Sequence, residues 1–155
     1  PQAVRVDPHL ADLGDKLRGG DQRVAPARHR RGASVARFAD VSGAPRRFAV
    51  VGDARDAFTV TRDEVQGSVW LWRDGDAVHA LSVTCPHLGY AIELTADQKA
   101  FGCPCHASKF SLAGAVESGP SPRGMDPLAT RVVGEFVEIE FRRFRTGVSG
   151  REEVA

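Results

Sequence analysis

The sequence predicts an all-β protein whose antiparallel strands are interrupted by one long loop region. From Ser34 onward, short apolar runs alternate with segments rich in Gly, Pro and Asp, which is the pattern of strands joined by turns. No segment after Leu17 has the apolar periodicity of an amphipathic helix. Cysteine, histidine, proline and glycine are concentrated between residues 84 and 125, which predicts loops there.

The predicted strands form two groups, one on each side of these loops. In the first group, DGD at 74–76 predicts a tight turn between the last two strands. The strands of the first group are VARF (35–38), RFAVV (47–51), AFTVT (57–61), VWLWR (69–73) and AVHALSV (77–83). The strands of the second group are LATRVV (128–133) and FVEIEFRRF (136–144).

The N-terminal residues have a different character. DPHLADLGDKL (7–17) predicts a short helix capped by Asp7, and the following residues predict an irregular linker. A chain of 155 residues is long enough for one ordinary globular domain. We therefore expect an N-terminal linker or peripheral segment (1–33), one β domain (34–145) and a C-terminal tail (146–155).

Composition excludes several classes of function. Lys and Arg number 21 against 20 Asp and Glu, so the net charge of +1 gives no electrostatic basis for binding nucleic acid. The basic run ARHRR (27–31) is interpreted as a solvated linker or a subunit contact. No activated nucleophile or Gly-rich phosphate loop indicates hydrolase chemistry. No membrane span or signal peptide is visible in the sequence, but it begins with Pro1, so we expect further residues upstream.

All three cysteines lie in two short segments that also contain histidine: CPHLGY (85–90), hereafter box 1, and CPCHASKF (103–110), hereafter box 2. A tight loop can direct residues at i and i+2, or at i and i+3, toward one centre, whereas neighbours such as Cys105 and His106 tend to project apart. This favours Cys103 over Cys105 as a ligand. An odd cysteine count also favours metal ligation over a complete disulfide framework. The four predicted metal ligands are Cys85, His87, Cys103 and His106.

Two metal centres suit two thiolates and two imidazoles. A structural zinc ion needs little beyond tetrahedral ligation. Zinc fingers, however, usually carry their two histidines a few residues apart on one helix, and the histidines of this sequence are not arranged in that way. A [2Fe-2S] cluster would place both thiolates on one iron and both imidazoles on the other. It would also need small residues for close backbone approach, and hydrogen-bond donors to its sulfurs. Residues placed for these roles are Pro86, Gly89, Gly102, Pro104 and Ser108.

The two boxes closely resemble the cluster-binding boxes of Rieske iron-sulfur proteins, and GPSPR (119–123) resembles the proline loop that covers the cluster in that family. The resemblance spans residues 34 to about 145. It implies a Rieske-type antiparallel β sandwich with a cluster-binding loop subdomain at about 84–125. It also implies that the two cysteine ligands hold the inner iron and the two histidines the outer, more exposed iron. Residues implied to support the cofactor are Gly89, Ser108 and Pro120.

One departure from the family pattern concerns Cys105. In the family's quinol-oxidising members, the cysteine at this position typically forms a disulfide with a cysteine at the end of box 1. Tyr90 stands at that second position, so this crosslink cannot form within the chain. Cys105 is then predicted to be a small buried apolar residue beside Tyr90, with a reactive or intermolecular thiol as the alternative.

A second departure concerns the redox potential. Quinol-oxidising relatives usually have a Ser and then a Tyr after the second histidine, both donating hydrogen bonds near the cluster sulfurs, whereas this chain has Ser108 and Phe110. Loss of one donor destabilises the more negative reduced state. We therefore expect a midpoint potential near the middle of the Rieske range, which runs from roughly −150 to +300 mV. Such a potential suits menaquinol better than ubiquinol.

The resemblance implies the soluble head of the Rieske subunit of a bacterial cytochrome bc-type quinol:cytochrome c oxidoreductase. The head would accept an electron and a coupled proton from quinol, with His106 as the first choice for the quinol hydrogen bond and His87 as the second exposed ligand. It would pass the electron to a cytochrome c-type haem. Cytochrome b and cytochrome c-type subunits are the implied partners, and the periplasmic or outer side of the membrane is the implied location. The resemblance also implies a membrane anchor upstream of Pro1, with residues 1–33 as the linker.

Two alternatives remain open at this point. The absent disulfide and Phe110 are compatible with a Rieske ferredoxin, or with the small subunit of another oxidoreductase such as arsenite oxidase. A structural zinc-binding module is a more remote alternative, because paired boxes followed by a proline loop are specific to the Rieske family.

Overall fold

The computed structural model describes residues 4–7, 34–55 and 60–154. These residues form antiparallel β-strands, which confirms the predicted all-β class, and their only helix is the four-residue 3-10 helix Phe38–Val41. Among the residues described, no helix is long and apolar enough to cross a membrane. The strands are β1 (Val4–Asp7), β2 (Ser34–Arg37), β3 (Gly43–Arg55), β4 (Val60–Asp74), β5 (Ala77–Ser82), β6 (Glu93–Leu94), β7 (Ala100–Gly102), β8 (Lys109–Ser111), β9 (Val116–Ser118), β10 (Ala129–Val133), β11 (Phe136–Glu140), β12 (Arg143–Phe144) and β13 (Glu153–Val154).

Two sheets enclose the main hydrophobic core. One has the order β1-β3-β4-β5 and the other β10-β11-β2. Both sheets contribute buried apolar side chains to one cluster, because alternate residues of each strand point inward. The buried members are Ala36, Val41, Phe48, Val50, Val69, Leu71, Ala80, Leu128, Val137 and Ile139. The result is the expected β sandwich.

A smaller sheet of order β6-β7-β8-β9 lies in the predicted loop region. It presents box 2 at the turn between β7 and β8, whose last ladder pair is Gly102 with Lys109. A second apolar cluster joins this sheet to the sandwich. Trp70 of β4 belongs to this cluster, and its indole N–H donates to the Ile92 carbonyl at 3.0 Å. The loop subdomain is therefore packed on the sandwich.

The long strands β3 and β4 differ from the prediction. RFAVV (47–51) is only the centre of β3, and VWLWR (69–73) is only the last part of β4. Of AFTVT (57–61), residues 60–61 begin β4 and the others lie outside the described residues. The two strands pair with each other over most of their length, with three register shifts. Backbone pairing therefore extends both strands through polar residues that carry no apolar pattern.

The predicted C-terminal strand FVEIEFRRF (136–144) is wrong in one respect, because it is broken between β11 and β12. At the break, the ring of Phe141 lies on Gly67, where an added Cβ would meet its Cζ at 2.6 Å. Arg142 then pairs with both Glu140 and Glu153. These contacts turn the chain into a second ladder between β12 and β13.

The N-terminal predictions are mostly outside the described residues. Asp7, the predicted helix cap, ends strand β1, which pairs with β3. Residues 8–17 of the predicted helix and the basic run 27–31 lie outside the described part of the chain.

Candidate metal centre

Boxes 1 and 2 form loops that close in the same way. The Cys85 N–H donates to the Tyr90 carbonyl at 2.8 Å, and the Cys103 N–H donates to the Ser108 carbonyl at 2.8 Å. The fourth residue after each cysteine has a positive φ, +82° at Gly89 and +56° at Ala107. A non-glycine residue in this conformation is strained. The second loop therefore holds a costly backbone shape that its surroundings must stabilise.

The thiols of Cys85 and Cys103 are buried and lie within hydrogen-bonding reach of each other. Burial, together with the neighbouring Cys103, raises the pKa of the Cys85 thiol to about 11. The backbone N–H groups of His87 and Leu88 donate to its sulfur and act in the opposite direction. A free thiol here stays protonated at neutral pH. A cation at this point would compensate the burial and stabilise the thiolate.

The two imidazoles lie together on the outer side of the loops. The ring centroids of His87 and His106 are 4.9 Å apart, with the rings edge to face. His87 is half-buried and His106 is exposed. The structure therefore separates a buried thiol pair from an outward imidazole pair, which matches the predicted division of ligands.

The prediction that Cys105 is buried is wrong. Its thiol is only partly buried, and the side chain of Tyr90 is 57% exposed. The Cys105 sulfur also lies 3.9 Å from Nε2 of His106, so these neighbours do not project apart. The left-handed backbone at Ala107 shows that this loop is not a regular strand, where neighbouring side chains alternate between faces.

The proline loop GPSPR (119–123) packs against box 2. The Ser121 N–H donates to the Ser108 hydroxyl oxygen at 3.2 Å. Gly119 has a φ of +93°, and an added Cβ there would lie 2.5 Å from the Cα of Ser108. Pro120 itself is exposed. Gly119 and Ser121, rather than Pro120, thus make the close contacts with box 2.

A buried ion pair stabilises the base of the proline loop. The Arg123 guanidinium donates to both carboxylate oxygens of Asp126, at 2.9 Å and 2.8 Å. The two side chains are only 6% and 4% exposed. The Ser121 hydroxyl donates to the Arg123 carbonyl at 2.8 Å, which connects this pair to the loop that covers box 2. Bidentate geometry makes this pair a strong and directional link.

The donor set fits a two-iron cluster with paired ligands. Two buried thiols contact each other and two outward imidazoles contact each other, which matches cysteine on one iron and histidine on the second. Ser108 is 1% exposed and accepts from Ser121, while its own hydroxyl hydrogen has no acceptor in the described residues. A cluster sulfur would accept that hydrogen. Within the same described residues, no group of three or more His, Cys, Asp or Glu side chains is arranged to hold a single metal ion.

The structure brings most of the predicted site residues together. Both cysteines, both histidines and Ser108 lie in the two boxes, and Gly89 provides the turn of box 1. Sequence reasoning overlooked the buried ion pair and the close contacts of the proline loop. The signal for the latter was available, since the motif GPSPR contains Gly119 and Ser121 beside the two prolines. Asp126 lies outside every motif, and only the fold identifies its partner.

Comparison with known proteins gives one family match. The family model described as "Rieske [2Fe-2S] domain" matches residues 34–133, which is more than half of the chain. The cytochrome b6-f complex iron-sulfur subunit of Synechococcus is 36% identical over 63 residues, covering 41% of this chain and 37% of that protein. The chain thus matches well under half the length of this curated relative.

Two solved structures are also similar. The cyanobacterial plasma membrane Rieske protein from Synechocystis has a TM-score of 0.45 and 24% sequence identity, over 60% of this chain and 86% of that one. The ferredoxin of carbazole 1,9a-dioxygenase from Nocardioides aromaticivorans has a TM-score of 0.44 and 25% identity, over 68% of this chain and 92% of that one.

The contact between the proline loop and box 2 predicts a cost for Gly119→Ala. The added Cβ would meet Ser108 backbone at 2.5 Å in addition to the strain of a positive φ, so we expect the free energy of unfolding to fall by about 3 kcal/mol. Gly43→Ala is the matched control, because Gly43 has a φ of +88° with nothing within 4 Å of the added Cβ; it should lose about 1 kcal/mol. Denaturant unfolding measures both, and equal losses would contradict the close contact.

Proposed function

The chain belongs to the Rieske [2Fe-2S] domain family, and from this premise we propose that it is the electron-transfer head of a cytochrome bc-type quinol oxidoreductase. Its cofactor is a [2Fe-2S] cluster. In this proposal, Cys85 and Cys103 hold the inner iron, and His87 and His106 hold the outer iron. The observation that carries the proposal is the separation of a buried thiol pair from an imidazole pair at the surface.

The cluster, when bound, supplies a site that accepts and releases one electron at a time. The protein determines which molecules can reach that site. The thiol side is enclosed by apolar residues including Phe101 and Phe110, both 0% exposed, which exclude water from the inner ligands. The imidazole side is open, and His106 is its more exposed member. A quinol hydroxyl can therefore approach His106 and donate a hydrogen bond to its ring nitrogen.

The rim beside the imidazoles is apolar. Leu88 and Tyr90 follow His87 in box 1 and are 56% and 57% exposed. Exposed large apolar side chains beside reactive groups are typical of surfaces that meet a hydrophobic ligand or partner. This rim suits a lipid-soluble quinol held by a cytochrome b-type subunit. Transfer onward to a cytochrome c-type haem, and a position on the outer side of a bacterial membrane, complete the proposal.

A soluble ferredoxin is the second candidate. Two features favour it: Phe110, which has no hydroxyl to donate to the cluster, and Tyr90, which replaces the cysteine of the quinol-oxidising pattern. A ferredoxin would receive its electron from a reductase and deliver it to an oxygenase, and its cluster would have a lower potential. The distinction between the two candidates is therefore a distinction between electron donors.

Stopped-flow reduction of the cluster-loaded protein tests the proposed function. We expect a soluble menaquinol analogue to bleach the visible absorption of the oxidised protein, and ferricytochrome c to restore it. If the quinol analogue leaves the absorption unchanged while a ferredoxin reductase with NADH bleaches it, the quinol proposal is wrong and the ferredoxin candidate is correct.

The hydroxyl hydrogen of Ser108 has no acceptor in the described residues, and this predicts an effect on the midpoint potential of the cluster. Ser108→Ala removes a hydrogen bond that stabilises the more negative reduced cluster, so the midpoint should fall by about 60 mV, equivalent to about 1.4 kcal/mol. Ser111→Ala is the matched control, because the hydroxyls of Ser108 and Ser111 each accept one backbone N–H at 3.2 Å, but Ser111 lies at the far end of β8 from the histidine. Redox titration followed by visible absorption measures both variants. Equal shifts, or an unchanged midpoint in Ser108→Ala, would contradict a hydrogen bond from Ser108 to the cluster.

A further inference from the structure

The C-terminal segment contacts box 1. Strands β12 and β13 form the arms of a hairpin, Arg143–Val154. Its loop is closed by a hydrogen bond in which the Arg145 N–H donates to the Glu152 carbonyl at 2.8 Å. In the loop of this hairpin, the Gly147 N–H donates to the Pro86 carbonyl at 2.8 Å, so the predicted C-terminal tail (146–155) is mostly part of a structure packed on box 1. Pro86 lies between Cys85 and His87, so this bond fixes the Pro86–His87 peptide group, which directly precedes one of the predicted ligands.

The same hairpin contacts the proline loop through the buried ion pair. Arg123 donates from Nη1 to the Val148 carbonyl at 2.6 Å, while its other nitrogens engage Asp126. Arg151 of the hairpin also lies near the pair, with its Nε 3.3 Å from the Asp126 Oδ1 atom that accepts from Arg123 Nε. Consecutive hairpin residues, Gly147 and Val148, therefore bond to box 1 and to the base of the proline loop.

These bonds form one continuous path between the two boxes. From box 1 the path runs through Gly147 and Val148 to Arg123. From Arg123 it runs through its carbonyl to the Ser121 hydroxyl, and through the Ser121 N–H to the hydroxyl of Ser108 in box 2. Covalently, the two boxes are joined only through the strands β6 and β7 and their turns. The hairpin thus adds a second, noncovalent connection on the side of the proline loop.

We propose that the hairpin Arg143–Val154 is a clamp that holds box 1 and the proline loop in fixed positions relative to each other. In this clamp, Gly147 and Arg123 are positioning residues for the cluster ligands. This inference deepens the proposed function, because it concerns the same site, but it requires only that the boxes hold the cluster. Opening the clamp frees the Pro86–His87 peptide group, and it loosens the proline loop over box 2. Both changes expose the cluster to solvent and give its ligands more freedom.

Arg123 and Asp126 must be replaced together in the first test. Removing Arg123 alone leaves a buried carboxylate without its partner, and that cost would obscure the clamp, whereas replacing both members of a buried pair by apolar residues is often tolerated. Arg123→Met combined with Asp126→Leu removes the bonds to Val148 and Arg151 without leaving an unpaired buried charge, because Arg151, which loses Asp126, is 49% exposed. Gly147→Ala is the second test, because alanine at a φ of +75° strains the hairpin loop at the residue that bonds Pro86.

The measurements separate the clamp from general stability. Gly75→Ala is the control for Gly147→Ala, since Gly75 has a φ of +58° in the β4–β5 turn, with nothing within 4 Å of an added Cβ. Thermal unfolding of the cluster-free proteins measures the stability of the β sandwich. Loss of visible absorption from the oxidised, cluster-loaded proteins in the presence of a chelator reports cluster lifetime, and electron paramagnetic resonance of the reduced proteins reports ligand geometry.

We expect Gly147→Ala and the double variant to lose the cluster on the order of tenfold faster than the wild type, a factor that corresponds to the loss of one or two hydrogen bonds. Their resonance spectra should broaden, while Gly75→Ala keeps the wild-type cluster lifetime and spectrum at an equal cost in melting temperature. If the double variant does not fold, the measurements on Gly147→Ala alone test the clamp. Wild-type lifetime and spectrum in Gly147→Ala would overturn the clamp. Failure of quinol to reduce the wild-type protein would overturn the proposed function and leave this result standing.

Discussion

The site depends on one constraint: two thiols must be kept from water while two imidazoles on the same loops must reach it. Cys85 is buried, and it lies only two positions before His87, which is half-buried at the outer side. A buried thiolate is costly unless a cation and hydrogen-bond donors compensate its charge. The backbone N–H groups of His87 and Leu88 provide such donors, and the iron of the proposed cluster provides the cation.

The sandwich provides the rigid base that this constraint requires. Its β4 strand contributes Trp70 to the apolar cluster beneath the boxes, and the Trp70 indole bonds to the backbone at Ile92, between the boxes. The main core on the other side of the strands stabilises β4 itself. A loop site with strained backbone, such as that at Ala107, persists only where its surroundings over-determine its shape. Packing of the small sheet on the large one supplies that support.

The sequence was sufficient for the features that depend on local pattern. Alternation of apolar and polar residues predicted the strands of the sandwich, and the spacing of cysteine and histidine predicted which side chains would come together. It was insufficient where tertiary contacts decide the outcome. The break after β11 lies where Phe141 packs on Gly67, seventy-odd positions earlier in the chain, and the partly exposed Cys105 lies in a loop with left-handed backbone at Ala107. Neither feature leaves a periodic signal in the sequence.

The buried pair of Arg123 and Asp126 illustrates the same limit for the site. Both residues are charged, and sequence alone gives no reason to bury them, yet together they connect the proline loop to the C-terminal hairpin. The crosslink that the family pattern implies between the boxes cannot form in this chain, since Tyr90 stands in place of a cysteine. The clamp we propose would restrain the boxes without that covalent bond.

The central claim is that Cys103, and not Cys105, completes the thiolate pair with Cys85. Iron and acid-labile sulfide analysis of Cys103→Ser and Cys105→Ser, combined with electron paramagnetic resonance of the reduced proteins, tests it most directly. The account predicts that Cys105→Ser retains two irons and two sulfides per chain with an unchanged spectrum, whereas Cys103→Ser purifies without a wild-type cluster. A normal cluster in Cys103→Ser, or its loss in Cys105→Ser, would contradict the assignment.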